Sequence, residues 1–416
     1  MASRGQIQTA RADFLDASLY EDAGAVGLPT ISRQALLVSL SRAFDLAEGR
    51  RGGHAQRVAY VATCLAARAG LGEADTEDAF HAALLHDIGM ARPMPSSAPS
   101  NTRGRGDSQP ADDPWHCEAG AEMAVALGFS EAVSEAVRTH HQRWDRGGDS
   151  PVAQVVAVAD RVESLLETSG PPLVARRHGP QLLRAMGGVE IAPQMAAEMA
   201  SIAAADDFWL GLYDRDLSST LVSLMPGEAL AHDELREFVA VLSDLVDQRN
   251  GRQAGRGRRI GRLASELARA NGLSAERAQL VELAALLQDI GTLGVPAHIL
   301  SKPDILTVEE MAAVQTHPVH ARDILSEAPG LGAVAWWVGC HHERIDGKGY
   351  PGMLEGDEVP LEAQLIGMSE AFIALISERP YRRAMELEQA LEVMLGLAGT
   401  RFEPSVVERL EAVVAA

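Results

Sequence analysis

The sequence predicts an all-α chain of two tandem helical bundles related by an internal repeat. Three observations carry this. Composition comes first: 46% of the 416 residues are hydrophobic while only 4% are aromatic, and Ala, Leu, Val and Glu dominate, which favours helix over sheet. Second, apolar residues recur at three- to four-residue spacing, as in Val58, Val61, Leu65 and Ala69, the period of one helix face. Third, the chain repeats itself. Leu84-Leu85-His86-Asp87-Ile88-Gly89 returns 202 residues later as Leu286-Leu287-Gln288-Asp289-Ile290-Gly291. His116 and the pair His140-His141 return 201 residues later as His317 and His341-His342. Repeats at a fixed offset are the signature of duplicated structural units.

These markers set the boundaries. Residues 1–30 read as a loose N-terminal tail, 31–205 as the first copy, 206–229 as a linker and 230–416 as the second copy. A chain of 416 residues suits two domains of about 100–200 residues each. In the first copy, Gly70 and Gly72 end the helix that carries Val58, and Ala74 to Leu85 form the next. Pro93 to Pro114, rich in Pro, Ser, Gly and Asp, reads as an exposed loop beside the first site. Leu280 to Leu287 repeats the apolar face of the earlier helix. The tails agree too: Gly188 to Pro193 resembles Gly399 to Pro404, each ahead of an apolar helix.

Charge and cysteine usage exclude several functions. A net charge of −21 argues against a nucleic-acid polymer as partner, because such proteins present a basic surface. A small phosphorylated ligand held through metal remains compatible. Cys64, Cys117 and Cys340 form no CxxC and no disulfide framework. The start lacks a signal-peptide h-region, and no stretch reaches the roughly 18 apolar residues of a membrane span. A cytoplasmic protein without membrane association is therefore expected.

Chemistry concentrates at His86-Asp87. An imidazole and a carboxylate at the end of an apolar helix cost several kcal/mol to bury unless something satisfies them. A divalent metal satisfies both, with Asp87 able to bridge two ions through its two oxygens. His54, His116, His140, His141 and Asp160 are available from other helices. Such oxygen and imidazole donors suit iron or manganese, with zinc, cobalt and nickel as further candidates. Cys117 adjoins His116 but is expected to point another way. In the second copy the matching set is eroded. Arg256 stands for His54, Gln288 for His86 and Glu370 for Asp160, while Asp289, His317, His341 and His342 remain. The arginine can neutralise Asp289 and Glu370 in place of a cation, leaving room for at most one weakly held metal.

The ordered set His54-x-x-Arg57, His86-Asp87-Ile88-Gly89, His116 with Gly120, His140-His141-x-x-x-Asp145 and Asp160 resembles the HD superfamily of metal-dependent phosphohydrolases, and its HD-GYP branch most closely. The second copy's His341-His342-Glu343-Arg344-Ile345-Asp346-Gly347-Lys348-Gly349-Tyr350-Pro351 resembles the HD-GYP signature almost in full, and Arg379-Pro380-Tyr381-Arg382 its closing motif. The resemblance spans nearly all of both copies. It implies helical bundles, two divalent metals, and His86 and Asp87 at the catalytic centre. His54, His86 and Asp160 would surround one metal and His116, His140 and His141 the other, with Asp87 between. It further implies in-line hydrolysis of a cyclic dinucleotide of the cyclic di-GMP type.

The first copy departs from the family at two points: Met90 replaces a lysine, and the Gly-Tyr-Pro loop is missing. Arg57, Arg143, Lys348 and Tyr350 are candidate ligand-binding residues. The second copy is expected to be a degenerate site that binds an anionic nucleotide without cutting it. The competing reading is a weak or inactive nucleotide-sensing scaffold acting through signalling partners. Homodimerisation and a different small phosphoester substrate are left open.

Overall fold

A computed structural model describes residues 28, 30–50, 52–92, 115–148, 150–169, 172–378 and 383–415. Among these residues there is no strand, only isolated bridges, and helices account for nearly all regular structure. The chain divides into two units, Ser32–Glu228 and a second comprising Ala229–Ala416 together with the segment that ends at Ile31.

In the first unit α1 (Arg33–Glu48) starts where Ser32 Oγ accepts from the Ala35 amide at 3.2 Å, the usual serine cap. Next come α2 (His54–Ala69), α3 (Glu73–Leu85), α4 (Trp115–Ala126), α5 (Glu131–Thr139) and α6 (Pro151–Ser169). Val58, Val61 and Leu65 are fully buried and α2 packs on α3 and α6. Ala69, at the helix end, is only half-buried. Gly70 terminates α2 with φ +75°, a left-handed cap that favours glycine. Phe80, Leu84 and Leu85 of α3, Val133 and Val137 of α5 and Val155, Val156 and Val158 of α6 complete the core. α7 (Pro172–Met186) and α8 (Pro193–Ile202) pack together.

The expected linker is not one. Residues 206–224 form α9 (Asp206–Leu212) and α10 (Leu217–Leu224) of the first unit. Phe208 stacks on Tyr60 at 5.9 Å, Trp209 Nε1 donates to the Ala203 carbonyl at 2.8 Å, and Leu221 is buried where α10 meets α1 and α2. Apolar residues at helical spacing outweigh the polar stretches around them. The near boundary shifts as well: Ile31 is buried in the second unit, where its carbonyl accepts from the Leu230 amide at 2.9 Å. The expected tail up to Gly27, the loop from Pro93 to Pro114 and the motif Arg379 to Arg382 lie outside the described residues.

The second unit repeats the plan with α11 (His232–Arg249), α12 (Arg256–Ala270) and α13 (Ala275–Leu287), then two short helices, α14 (Ala297–Leu300) and α15 (Val308–Val314). It continues with α16 (His317–Ser326), α17 (Gly332–Cys340), α18 (Leu361–Leu375), α19 (Leu387–Leu395) and α20 (Pro404–Val414). The repeat extends to backbone detail. Gly188 N donates to Ile191 O and Gly399 N to Phe402 O, both at 2.9 Å.

Candidate metal centres

Six of the seven site residues of the first unit come from helix ends, where side chains of different helices can converge. His54 opens α2, and the start of that helix is fixed by Asp45, whose carboxylate accepts from the amides of Gly53 at 2.6 Å, His54 at 2.9 Å and Ala55 at 3.1 Å. His86 and Asp87 follow α3, His116 lies in the first turn of α4, and His140-His141 follow α5. Asp160 sits within α6. Gly89 makes the assembly possible: a Cβ there would lie 1.9 Å from the His116 carbonyl. Only glycine lets the turn after Asp87 approach α4 so closely.

Hydrogen bonds aim the imidazoles. Nδ1 of His86 donates to the Ala83 carbonyl at 2.8 Å and Nδ1 of His140 to the Val137 carbonyl at 2.7 Å. Nδ1 of His54 donates to Glu163 Oε2 at 2.6 Å. These bonds set the tautomers and leave Nε2 lone pairs facing inward. His54 Nε2 and His86 Nε2 then face each other at 3.1 Å. Two lone pairs at that distance repel unless a cation or proton lies between them. Nitrogens sharing a metal at about 2.0–2.1 Å would stand roughly 3–3.4 Å apart. The buried His140 Nε2 and His141 Nε2 have no hydrogen-bond partner, which also fits donors that await a metal.

Asp87 divides the centre into two compartments. Its Oδ2 lies 3.1 Å from His86 Nε2 and 3.8 Å from His54 Nε2, while Oδ1 lies 3.7 Å from His116 Nε2 and 3.6 Å from His140 Nε2. Asp160 completes the first compartment, with Oδ1 3.7 Å from both His54 Nε2 and His86 Nε2, and its Oδ2 lies 3.8 Å from His141 Nδ1. The structure therefore brings together all seven residues expected from the sequence. The donor set fits two divalent ions, one held by His54, His86 and Asp160, the other by His116, His140 and His141, with Asp87 reaching both.

Neighbouring charges and burial shift the titration of these side chains. Burial works against a charged His54, yet the Glu163 carboxylate holds its pKa up to about 9. Burial would raise Asp87, but the imidazoles of His86 and His140 hold it well below the usual carboxylate range. Burial and the neighbouring His140 push His141 down to about 3.

Three residues behave differently from expectation. The Arg57 guanidinium turns to Glu163: its Nε donates to Glu163 Oε1 at 2.7 Å, so it steadies the carboxylate that orients His54. Arg143 is exposed and forks onto Asp145, with Nε 3.0 Å and Nη2 2.8 Å from the carboxylate oxygens. Cys117 does not point away. It is buried, and its Sγ lies 3.4 Å from His116 Nε2. Glu163 was missed, although its place three residues after Asp160 puts both on one helix face.

The second unit keeps one compartment and fills the other. His317 and His341 donate through Nδ1 to the carbonyls of Val314 at 2.8 Å and Val338 at 2.5 Å, and their Nε2 atoms face each other at 3.3 Å. His342 joins them, and Asp289 Oδ1 lies 3.9 Å from His317 Nε2. The other oxygen of Asp289 is paired with Arg252 and, at 3.4 Å, with Arg256 Nη1. Arg256 Nη2 continues to Glu370 Oε1 at 3.0 Å. Guanidinium groups thus occupy the charge position that His54, His86 and Asp160 define in the first unit. Both amide atoms of buried Gln288 lack partners. Tyr350 stacks on His342 at 4.8 Å, whereas Lys348 is exposed and lies 3.9 Å from Asp346. Glu343 anchors this loop, accepting from the amides of Gly352 at 2.5 Å and Leu354 at 3.0 Å.

The HD-domain family description matches the chain twice, over residues 51–165 and 240–406, and the two matches enclose both histidine clusters. The chain belongs to the HD-domain family. Its two HD domains have full-length relatives. The 3'3'-cGAMP-specific phosphodiesterase 3 of Vibrio cholerae serotype O1 is 26% identical over 432 residues, covering 91% of this chain and 94% of that protein. Phosphodiesterase 1 of the same name and organism is 27% identical, covering 85% of each. The cyclic di-GMP phosphodiesterase response regulator RpfG of Xanthomonas campestris pv. campestris is 35% identical over 179 residues, 42% of this chain and 47% of that protein. A crystal structure of a cyclic GMP-AMP specific phosphodiesterase of V. cholerae shares the fold, with a TM-score of 0.66 at 24% identity over 93% of this chain and 98% of that one. Among the described residues no helix is long and apolar enough to cross a membrane.

Proposed function

We propose that the protein is a metal-dependent cyclic-dinucleotide phosphodiesterase whose first HD domain performs the hydrolysis. One observation carries the assignment to that domain. Its seven donors form two compartments shared through Asp87, with buried nitrogens left unpaired, whereas one compartment of the second domain is closed by arginine. The full-length relatives are cGAMP-specific, so 3'3'-cGAMP is the first substrate to test, beside cyclic di-GMP.

When bound, two divalent ions supply Lewis acidity and a nucleophile at neutral pH. The residues prepare the place for them. Asp87 spaces the two positions through its own carboxylate. Glu163, steadied by Arg57, retains the Nδ1 proton of His54 so that Nε2 stays a donor to metal. The carbonyls of Ala83 and Val137 do the same for His86 and His140. Met90, where the family has lysine, leaves the charge on the substrate phosphate to the metals, which lowers transition-state stabilisation by a side chain.

The second domain is read as a nucleotide-binding site without turnover. Arg252 and Arg256 line a cavity of about 770 Å³ with Arg259 and Lys302, a size and charge suited to a phosphorylated ligand.

Metal content by elemental analysis and turnover of both dinucleotides, measured on the wild type and on His86→Ala/Asp87→Ala, test the catalytic assignment. Loss of metal and turnover together supports it. Undiminished turnover in the variant would move catalysis to the second domain. Calorimetric titration of the same full-length variant with nucleotide tests the second site. Binding that disappears in Arg252→Ala/Arg256→Ala is expected, and no binding to the first variant would refute it.

A further inference from the structure

We propose that Cys117 is a ligand of the metal position formed by His116, His140 and His141, which makes it a mixed imidazole–thiolate site. The inference rests on the reading that the first HD domain holds metal. Ligand atoms of Cys117, His116, His140 and His141 all lie within 4.8 Å of one another. The sulfur stands 3.4 Å from His116 Nε2, close to the roughly 3.6 Å edge of a tetrahedron built on metal–nitrogen and metal–sulfur bonds of about 2.05 and 2.3 Å. A second observation points to the same centre: the buried Nε2 atoms of His140 and His141 have no partner.

The other cysteines show what an ordinary packing role looks like. Cys340 immediately precedes His341, yet it packs among Leu354, Val359 and Ala363. Cys64 lies on α2, away from the site helix ends, beside Tyr60. In the second domain Pro318 follows His317, so no thiol accompanies that cluster. The sulfur is thus particular to the first centre.

Coordination requires the thiolate, so the thiol proton leaves to solvent as metal binds. A soft donor shifts preference at this position from manganese toward zinc, cobalt or ferrous iron. The oxygen-and-imidazole donor set expected from the sequence is therefore incomplete.

Cobalt(II) is the probe. The full-length protein is loaded with it, metal content is verified, and the absorption spectrum is recorded. A thiolate-to-cobalt charge-transfer band in the near ultraviolet is expected. It should persist in Cys64→Ser and Cys340→Ala and vanish in Cys117→Ala, while the weaker visible cobalt bands remain. Zinc affinity of Cys117→Ala should fall at least about 10–100-fold, with a smaller change for manganese. If Cys117→Ala fails to fold, the band in the wild type and in the two control variants assigns the sulfur by elimination. Cobalt bound without that band overturns the Cys117 assignment and leaves the hydrolase reading standing. No cobalt bound at all overturns both.

Discussion

Replacing Glu163 by glutamine isolates the second layer of the first metal centre. The carboxylate is almost fully buried, accepts from His54 Nδ1 at 2.6 Å and from Arg57 Nε at 2.7 Å. Glutamine keeps a carbonyl oxygen for His54 but removes the negative charge. Outer-shell partners of metal-binding histidines are worth about 10–100-fold in metal affinity, or about 1.4–2.7 kcal/mol. The loss should fall on one compartment, because the His116, His140 and His141 donors do not touch Glu163. Folding stability should also drop, since Arg57 loses its partner. A broken buried pair costs about 3–5 kcal/mol, and the partial exposure of Arg57 reduces this to about 1–3 kcal/mol. Competition against a graded series of chelators measures each metal separately, and thermal unfolding of the metal-free protein measures the fold. Glu163→Gln should release one metal early and retain the other. Adding Arg57→Gln should recover stability without recovering that metal. Equal weakening of both metals, or no weakening, would refute the division of labour at Asp87.

Other perturbations have equally definite outcomes. Arg256→Ala leaves Asp289 and Glu370 short of a partner and should destabilise the second HD domain by about 3 kcal/mol; Arg256→Ala/Glu370→Gln should be milder, and equal thermal shifts would argue against the ion pair. Gly89→Ala places a methyl 1.9 Å from the His116 carbonyl and should displace α4, lowering metal content and stability together in elemental analysis and calorimetry. Asp247 is pushed up to about 6, first by burial and then by Asp289, against the opposing Gly257 amide. Its folded pKa exceeds the unfolded one, so the folded state holds the extra proton between about pH 4 and 6. This group's contribution to stability therefore rises as pH falls through that window, by at most about 3 kcal/mol. Asp247→Asn should flatten that part of the pH–stability difference, and an unchanged profile would remove Asp247 as its source.

Much of this was legible in the sequence because metal chemistry constrains residue types at helix ends, and the duplication displayed them twice. The seven candidate donors of the first unit were legible as an ordered His and Asp set, and comparing the copies showed where arginine, glutamine and glutamate replace three of them in the second. Partners that depend on folding were harder to see. Arg57 was a candidate ligand-binding residue, and its pairing with Glu163 was hidden because that carboxylate lies 106 residues away. Cys117 was misjudged by helix geometry: neighbours about 100° apart still reach one centre when it sits off the helix end. The stretch 206–224 was read as a linker from its position between the copies, although Phe208, Trp209, Leu212, Leu217 and Leu221 carry an apolar face that has to be buried.

The hydrogen bond from Leu230 to Ile31 has a topological consequence. It joins the residue just before the first HD domain to one just after it, so the chain leaves that domain where it came in. Gln34 and Gly227, near its two ends, are also in close approach. The first HD domain is thereby a closed excursion from the second. Such a piece can be excised and its ends rejoined, or its order circularly permuted, without pulling apart the helices that carry Asp87 and its partners.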